Sequence, residues 1–290
     1  MIERRFIKIR NILLAVLVFN WLVALAKIIY GYVSRCSSMA ADGFHSFSDG
    51  ASNVIGIVGI LIASRPADEE HPYGHRKYET LASIAISVLL FLISFNLAKA
   101  AVIRFIHPIV PEVTILSFTI MLFTITVNTI VFVYERKGSR KLESDVLFAD
   151  SEHTRSDILI SISVIFTLLA IRAGFPMIDT IVALAISILI AKSAVDILRA
   201  SSRVLCDRIA VVSDKIRYIV MGIDGVKETH QIRTRGRMDD IHVDLHVLVD
   251  QSMDVEDAHH ITEKIEERIK KTIKGVSDVI VHVEPGGVRP

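Results

Sequence analysis

The chain has 290 residues, is 51% hydrophobic and has a mean hydropathy of +0.48, too apolar for an ordinary soluble domain of this length. A net charge of +1 removes any electrostatic case for nucleic acid or another polyanion. Two distant cysteines, Cys36 and Cys206, exclude a disulfide framework or a thiolate zinc knuckle, so metal chemistry falls to the 11 histidines.

Six stretches reach the ~20 residues that a helix needs to cross ~30 Å of hydrocarbon. They are 11–33, 39–64, 80–106, 113–134, 145–172 and 177–205. The basic start MIERRFIKIR leads into an apolar run too long for a signal peptide, and is expected to be a retained first helix. The fourth stretch carries no charge; the second and fifth carry several polar residues, which places them inside a bundle. Arg4, Arg5, Lys8 and Arg10, then Arg65, Arg76 and Lys77, then Arg136, Lys137, Arg140 and Lys141, then Arg199 and Arg203 crowd one set of connections. The alternate connections hold Arg35, Arg104 and Arg172. Positive-inside asymmetry therefore predicts both termini in the cytoplasm of an integral membrane protein.

The second stretch contains Asp42, His45 and Asp49, and the fifth contains His153 and Asp157. His45 and Asp49 are four apart, as are His153 and Asp157, so each helix presents an imidazole and a carboxylate on one face. If the faces meet, the result is a His₂Asp₂ set suited to tetrahedral Zn²⁺. A charged group at the bilayer centre costs ~2.5–3.5 kcal/mol, which a bound cation or protons would offset. The alternative is that these residues pair with each other and with Ser and Asn neighbours across the helices. Asp42 lies near the same face, or else caps or lines the entrance. Metal loading of such a set releases protons, so exposing it to each side in turn predicts metal–proton exchange.

Between the second and third stretches, RPADEEHPYGHRKYE places Asp68, His71 and His75 close in sequence, with Glu69 and Glu70 beside them. This is either a metal site or a polar loop turned by Pro72 and Gly74.

After Cys206 the texture becomes that of a small soluble domain. A helix over 213–221 capped by Ser213, strands over 226–235 and 241–249, a helix over 255–273 and a strand over 276–283 give the order αββαβ. That is an α+β unit with helices on one face of a three-stranded sheet. The expected division is a transport domain over 1–206 and a regulatory domain over 207–290. Six histidines fall in the latter: His230, His242, His246, His259, His260 and His282. His242, Asp244 and His246 share one strand face, and His282 and Glu284 share another. The clustering favours a sensing metal site over catalysis, since no general-base motif accompanies it.

The segments SMAADGFHSFSDGASN, HPYGHRKYE and DSEHTRSDILIS together resemble the cation diffusion facilitators, and the likeness covers nearly the whole chain. The resemblance implies a six-helix transmembrane domain with a cytoplasmic ferredoxin-like domain, exporting divalent metal in exchange for protons. It implies a transport site of His45, Asp49, His153 and Asp157, a set similar to that of zinc-selective members, with Cd, Co or Fe as further cargo. It also implies a loop site of Asp68, His71 and His75, and a cytoplasmic binuclear site of His230, His246, His259 and His282, with Glu284 where close relatives have Asp. A homodimer locked by a charge pair at the positions of Lys77 and Asp207 is implied as well; read alone, these are a membrane-edge lysine and a helix-terminating aspartate. His242 and His260 have no family counterpart. No organelle address is visible, and a bacterial or archaeal plasma membrane is the expected location.

Other classes remain as alternatives. A membrane metalloenzyme would need an open coordination position and a general base, and neither HExxH nor GxSxG is present; the expectation is no enzymatic activity. A manganese- or iron-preferring exporter is a second alternative. A membrane metal sensor without transport is a third, which leaves the paired intramembrane ligands unexplained.

Overall fold

The computed structural model describes residues 2–33, 50–106, 115–172 and 177–286. The chain divides into two compact units, Met1–Ser201 and Ser202–Pro290.

The first unit is helical: α1 (Ile2–Val33), α2 (Ala51–Ala63), α3 (Lys77–Ile106), α4 (Ile115–Leu142), α5 (Asp145–Arg172) and α6 (Met177–Leu205). Helix α1 begins within the basic flank, nine residues before the apolar run expected from sequence, because Arg5 is engaged by the bundle. Its buried residues Phe6, Ile9, Leu13 and Val16 recur at helical spacing and form one stripe. Ala82, Ile86 and Leu90 on α3 and Ile186, Ile190, Ala194 and Ile197 on α6 join the same core. Large apolar residues cover outward faces, among them Phe19, Leu22, Phe91, Phe95 and Ile188, a surface for lipid and not for water. Among the described residues, Arg4–Leu25 and Lys77–Ile103 are long and apolar enough to cross a membrane.

Small residues set the closest approach in this unit. A Cβ on Gly59 of α2 would stand 2.3 Å from the Cβ of Ala82 on α3, so these two helices touch with no side chain between them. At one end, Arg5 donates to the carbonyls of Leu142 (2.7 Å) and Glu143 (3.0 Å) and pairs with Glu79 at 3.0 Å. Glu79 also accepts from the Ser144 hydroxyl. Arg5 thus ties α1 to α3 and to the α4–α5 turn, where Glu143 takes a left-handed φ of 50°.

The second unit contains α7 (Ser213–Met221), β1 (Glu228–Arg237), β2 (Asp240–Asp250), α8 (Val255–Thr272) and β3 (Val276–Gly286). The αββαβ order matches the sequence expectation. The sheet order is β1-β2-β3, with β1 antiparallel and β3 parallel to β2. Ile241, Val243, Leu245, Val247 and Val249 bury one face of β2 against Ile216 and Val220 of α7 and Ile261, Ile265 and Ile269 of α8. Ser213 is not the cap of α7. The cap position is Val212, without a side-chain hydrogen bond, and the Ser213 hydroxyl instead reaches the carbonyl of Ile232. Asp254 caps α8 by accepting from the Asp257 N–H.

Candidate metal centres

Half of the expected transport site lies in the described residues. On α5, His153 Nε2 stands 3.9 Å from Asp157 Oδ2, one helical turn away. His153 is 5% exposed and, among the described residues, neither ring nitrogen has a hydrogen-bond partner. A buried imidazole ordinarily has one nitrogen fixed by a neighbour, which sets this ring apart among the described histidines of the first unit. Asp42, His45 and Asp49 lie outside the described residues.

Helices α2 and α5 are joined directly. Asn53, four residues after Asp49 on the α2 side, donates from Nδ2 to Asp150 Oδ2 on α5. Asn20 of α1 donates to the Asn53 carbonyl at 3.2 Å and so orients its amide. Asp150 precedes His153 by three residues and is fully buried. Glu135 of α4, also fully buried, accepts from the Thr154 hydroxyl at 2.9 Å. Sequence reasoning passed over Asn53, Glu135 and Asp150. The missed signal is an internal repeat: ADGFHSFSD at 41–49 and ADSEHTRSD at 149–157 share A-D-x-x-H-x-x-S-D, which pairs Asp150 with Asp42. Glu135 carried no such signal, because the apolar fourth stretch ends one residue before it.

The loop cluster is tightly built. Asp68, His71 and His75 each offer a ligand atom within 4.8 Å of the others. Asp68 Oδ1 is 3.3 Å from His71 Nδ1, and Asp68 Oδ2 is 3.4 Å from His75 Nε2. Buried His75 uses Nδ1 on the Pro66 carbonyl at 3.0 Å, which leaves Nε2 as the ligand atom facing Asp68. The His71 backbone N–H beside Asp68 holds that carboxyl below its ordinary range. Gly74 completes the turn at φ 81°, a conformation that favours glycine.

In the second unit the sheet register assembles the histidines. His230 on β1 pairs with His246 on β2, and His246 pairs with His282 on β3, a row across all three strands. The row sits on the face turned away from α7 and α8. Glu284 lies 2.6 Å from His246 Nδ1, 3.3 Å from His230 Nε2 and 3.8 Å from His282 Nε2. His230, His246 and Glu284 converge within 4.8 Å, a nitrogen and oxygen set that fits Zn²⁺. A β-bulge between His230 and Arg233, with Gln231 at φ 48°, makes this possible. The bulge switches which residues of β1 face the row, even-numbered before it and odd-numbered after it. His259 and His260 lie on α8, over the other face, where both are exposed and pair with Glu263 at 3.6 and 3.3 Å. His242 stands 3.8 Å from both Asp240 and Asp278, apart from the row.

The hydrogen bond from His246 holds the Glu284 carboxyl below its ordinary range. The stability this contributes is present above the ordinary glutamate value and is lost as pH falls through the depressed one. Glu284→Ala is expected to weaken Zn²⁺ binding to the second unit by at least ~10-fold, as loss of a ligand should exceed loss of an outer-shell partner. Calorimetric titration of the full chain reads this as the loss of one class of site; unchanged binding isotherms would show that Glu284 is not a ligand.

Comparison with known proteins gives a consistent result. The sequence model of the cation efflux transmembrane domain matches residues 13–206. That of the cation efflux protein cytoplasmic domain matches 210–286. An uncharacterized transporter of Methanocaldococcus jannaschii is 35% identical, covering 92% of this chain and 95% of its own. The manganese efflux system protein MneS of Bacillus subtilis is 28% identical, with 89% of each chain covered. The cation-efflux pump FieF of Shewanella oneidensis is 27% identical over 91% of this chain and 90% of its own.

Proposed function

Since this chain belongs to the cation diffusion facilitator family and is an integral membrane transporter of metal cations, we propose that it exports Zn²⁺ from the cytosol in exchange for protons. The buried His153, whose ring nitrogens have no hydrogen-bond partner among the described residues and which faces Asp157 one turn away, is the observation that carries this reading. His45 and Asp49 complete the ligand set from the second span. Neutral imidazole and ionised carboxylate are the metal-binding forms, so protons arriving from the far side displace the cargo. Cd²⁺, Co²⁺ and Fe²⁺ are secondary cargo of the same site.

In this reading residues 1–206 transport and residues 207–290 regulate, both termini are cytoplasmic, and the protein works as a homodimer. The dimer is locked by Lys77 and Asp207 of opposite subunits. Lys77 opens α3, and Asp207 follows α6 at φ 51°. The loop set of Asp68, His71 and His75 gathers metal on the cytoplasmic side. The sheet set of His230, His246, His282 and Glu284 senses it. The cytoplasmic domain would adopt a ferredoxin-like fold.

A manganese cargo is the second reading, favoured by the manganese efflux relative. Two imidazoles favour the borderline-soft Zn²⁺, whereas Mn²⁺ suits an all-oxygen site. Proteoliposomes loaded in parallel with Zn²⁺, Cd²⁺, Co²⁺, Fe²⁺ and Mn²⁺, with internal pH recorded, decide between them. Zinc flux should clearly exceed manganese flux, since imidazole ligands favour Zn²⁺ over Mn²⁺. Equal manganese flux overturns the zinc assignment, and metal flux without proton counter-flow at any pH gradient overturns the exchange.

A further inference from the structure

Glu135 and Asp150 belong to none of the ligand sets above, yet both carboxyl groups are fully buried. Each has one oxygen satisfied: Asp150 Oδ2 by the Asn53 amide, Glu135 Oε2 by the Thr154 hydroxyl. Asp150 Oδ1 and Glu135 Oε1 have no donor among the described residues. Thr154 Oγ1 stands 2.9 Å from Glu135 Oε2 and 3.3 Å from the Asp150 backbone carbonyl oxygen, which brings the two acidic residues together at one turn of α5. Among the described residues, the charges acting on Glu135 are Asp150 and Asp157, both on α5 and both negative. The helices α1 and α2 contribute the neutral amides of Asn20 and Asn53. Glu79 of α3 is committed to Arg5 and Ser144.

Two adjacent carboxylates without water or a cation repel, and a single shared proton removes the repulsion while supplying the missing donor. A divalent metal would need more ligands than the two free oxygens provide. We propose that Glu135 and Asp150 hold one proton between them and form a proton-carrying site of the transporter, separate from the metal ligands. The carrying role rests on the metal–proton exchange proposed above. Asp150 is three residues from His153, and Asn53 is four residues from Asp49. Alternating access that parts α2 from α5 would break the Asn53–Asp150 bond. Without that donor Asp150 holds the proton differently, so the pair releases or takes up its proton in step with the metal site.

The test uses the full-length chain and two isosteric substitutions, Glu135→Gln and Asp150→Asn, each of which puts a fixed amide donor where the proton would sit. Infrared difference spectroscopy should show the carbonyl stretch of a protonated carboxylic acid in the unaltered protein at neutral pH, and its loss in both variants. Absence of that band, or its survival in both variants, overturns the shared proton. In proteoliposomes, Glu135→Gln should transport Zn²⁺ with fewer protons returned per metal than the unaltered chain. An equal ratio overturns the carrying role. Unaltered protein that moves metal with no proton counter-flow sinks the exchange reading instead, while the infrared band still reports on the pair.

Discussion

Asp157→Ala should lower metal flux by about 100-fold or more, since losing even an outer-shell partner of a metal ligand costs 10–100-fold. Asp157 sits one turn from His153 on the same face of α5, and in the proposed site it supplies the carboxylate of that half. Its removal leaves the imidazole without the negative charge that favours a divalent cation over bulk solvent. Asp49→Ala removes the counterpart carboxylate of the second span and should act alike. Neither residue belongs to the second unit, so Zn²⁺ binding by the sheet site should survive both substitutions. The measurement pairs flux in proteoliposomes with metal titration on the same preparation. Flux at the unaltered rate in both variants would show that cargo does not pass through these carboxylates, and loss of both flux and sheet-site binding would show misfolding.

The second large effect is on stability. Glu79 is 1% exposed and its partner Arg5 is 13% exposed. Arg5→Ala takes the guanidinium away from that buried carboxylate and removes the donor to the Leu142 and Glu143 carbonyls. Breaking one partner out of a buried pair costs about 3–5 kcal/mol. Replacing both residues by methionine should recover a large part of that loss, because no uncompensated charge remains. Thermal unfolding of the detergent-solubilised chain and of the single and double variants gives the comparison. A loss below about 1 kcal/mol in Arg5→Ala, typical of an exposed pair, would show that Arg5 does not hold the helices together.

The helical periods and the αββαβ order were legible because they follow from local patterns of burial. The juxtaposition of His153 and Asp157 on α5 was legible for the same reason: four-residue spacing fixes a shared helical face without tertiary information. What escaped depends on contacts between distant segments. Glu135 and Asp150 meet only because α4 and α5 pack together, and neither helix alone hints at a pair. Arg5 read as one more cytoplasmic positive charge, whereas folding takes it to Glu79, 74 positions along the chain. The histidine row needed strand register, which alternation in a single strand cannot supply. Reading β1 as one uninterrupted alternation also hid the bulge at Gln231, since an extra residue changes parity without changing composition. Ser213 was misassigned as a cap because an isolated serine before an amphipathic run looks the same whether its hydroxyl turns back to the helix or across to Ile232.

The bulged strand also carries a lock. On one side of the bulge β1 brings His230 to the imidazole row; on the other it brings Arg233 and Arg235 to within 3.7 and 3.8 Å of Asp244. Each half of the strand therefore has its own reading frame, one written in nitrogen ligands and the other in positive charge. Sliding β1 by two residues keeps the same sides exposed but sets guanidinium groups against imidazoles and strands His230 beyond its partners. Sliding by one turns each frame toward the helices. The extra residue is thus a punctuation mark between two messages, and no displaced alignment satisfies both at once.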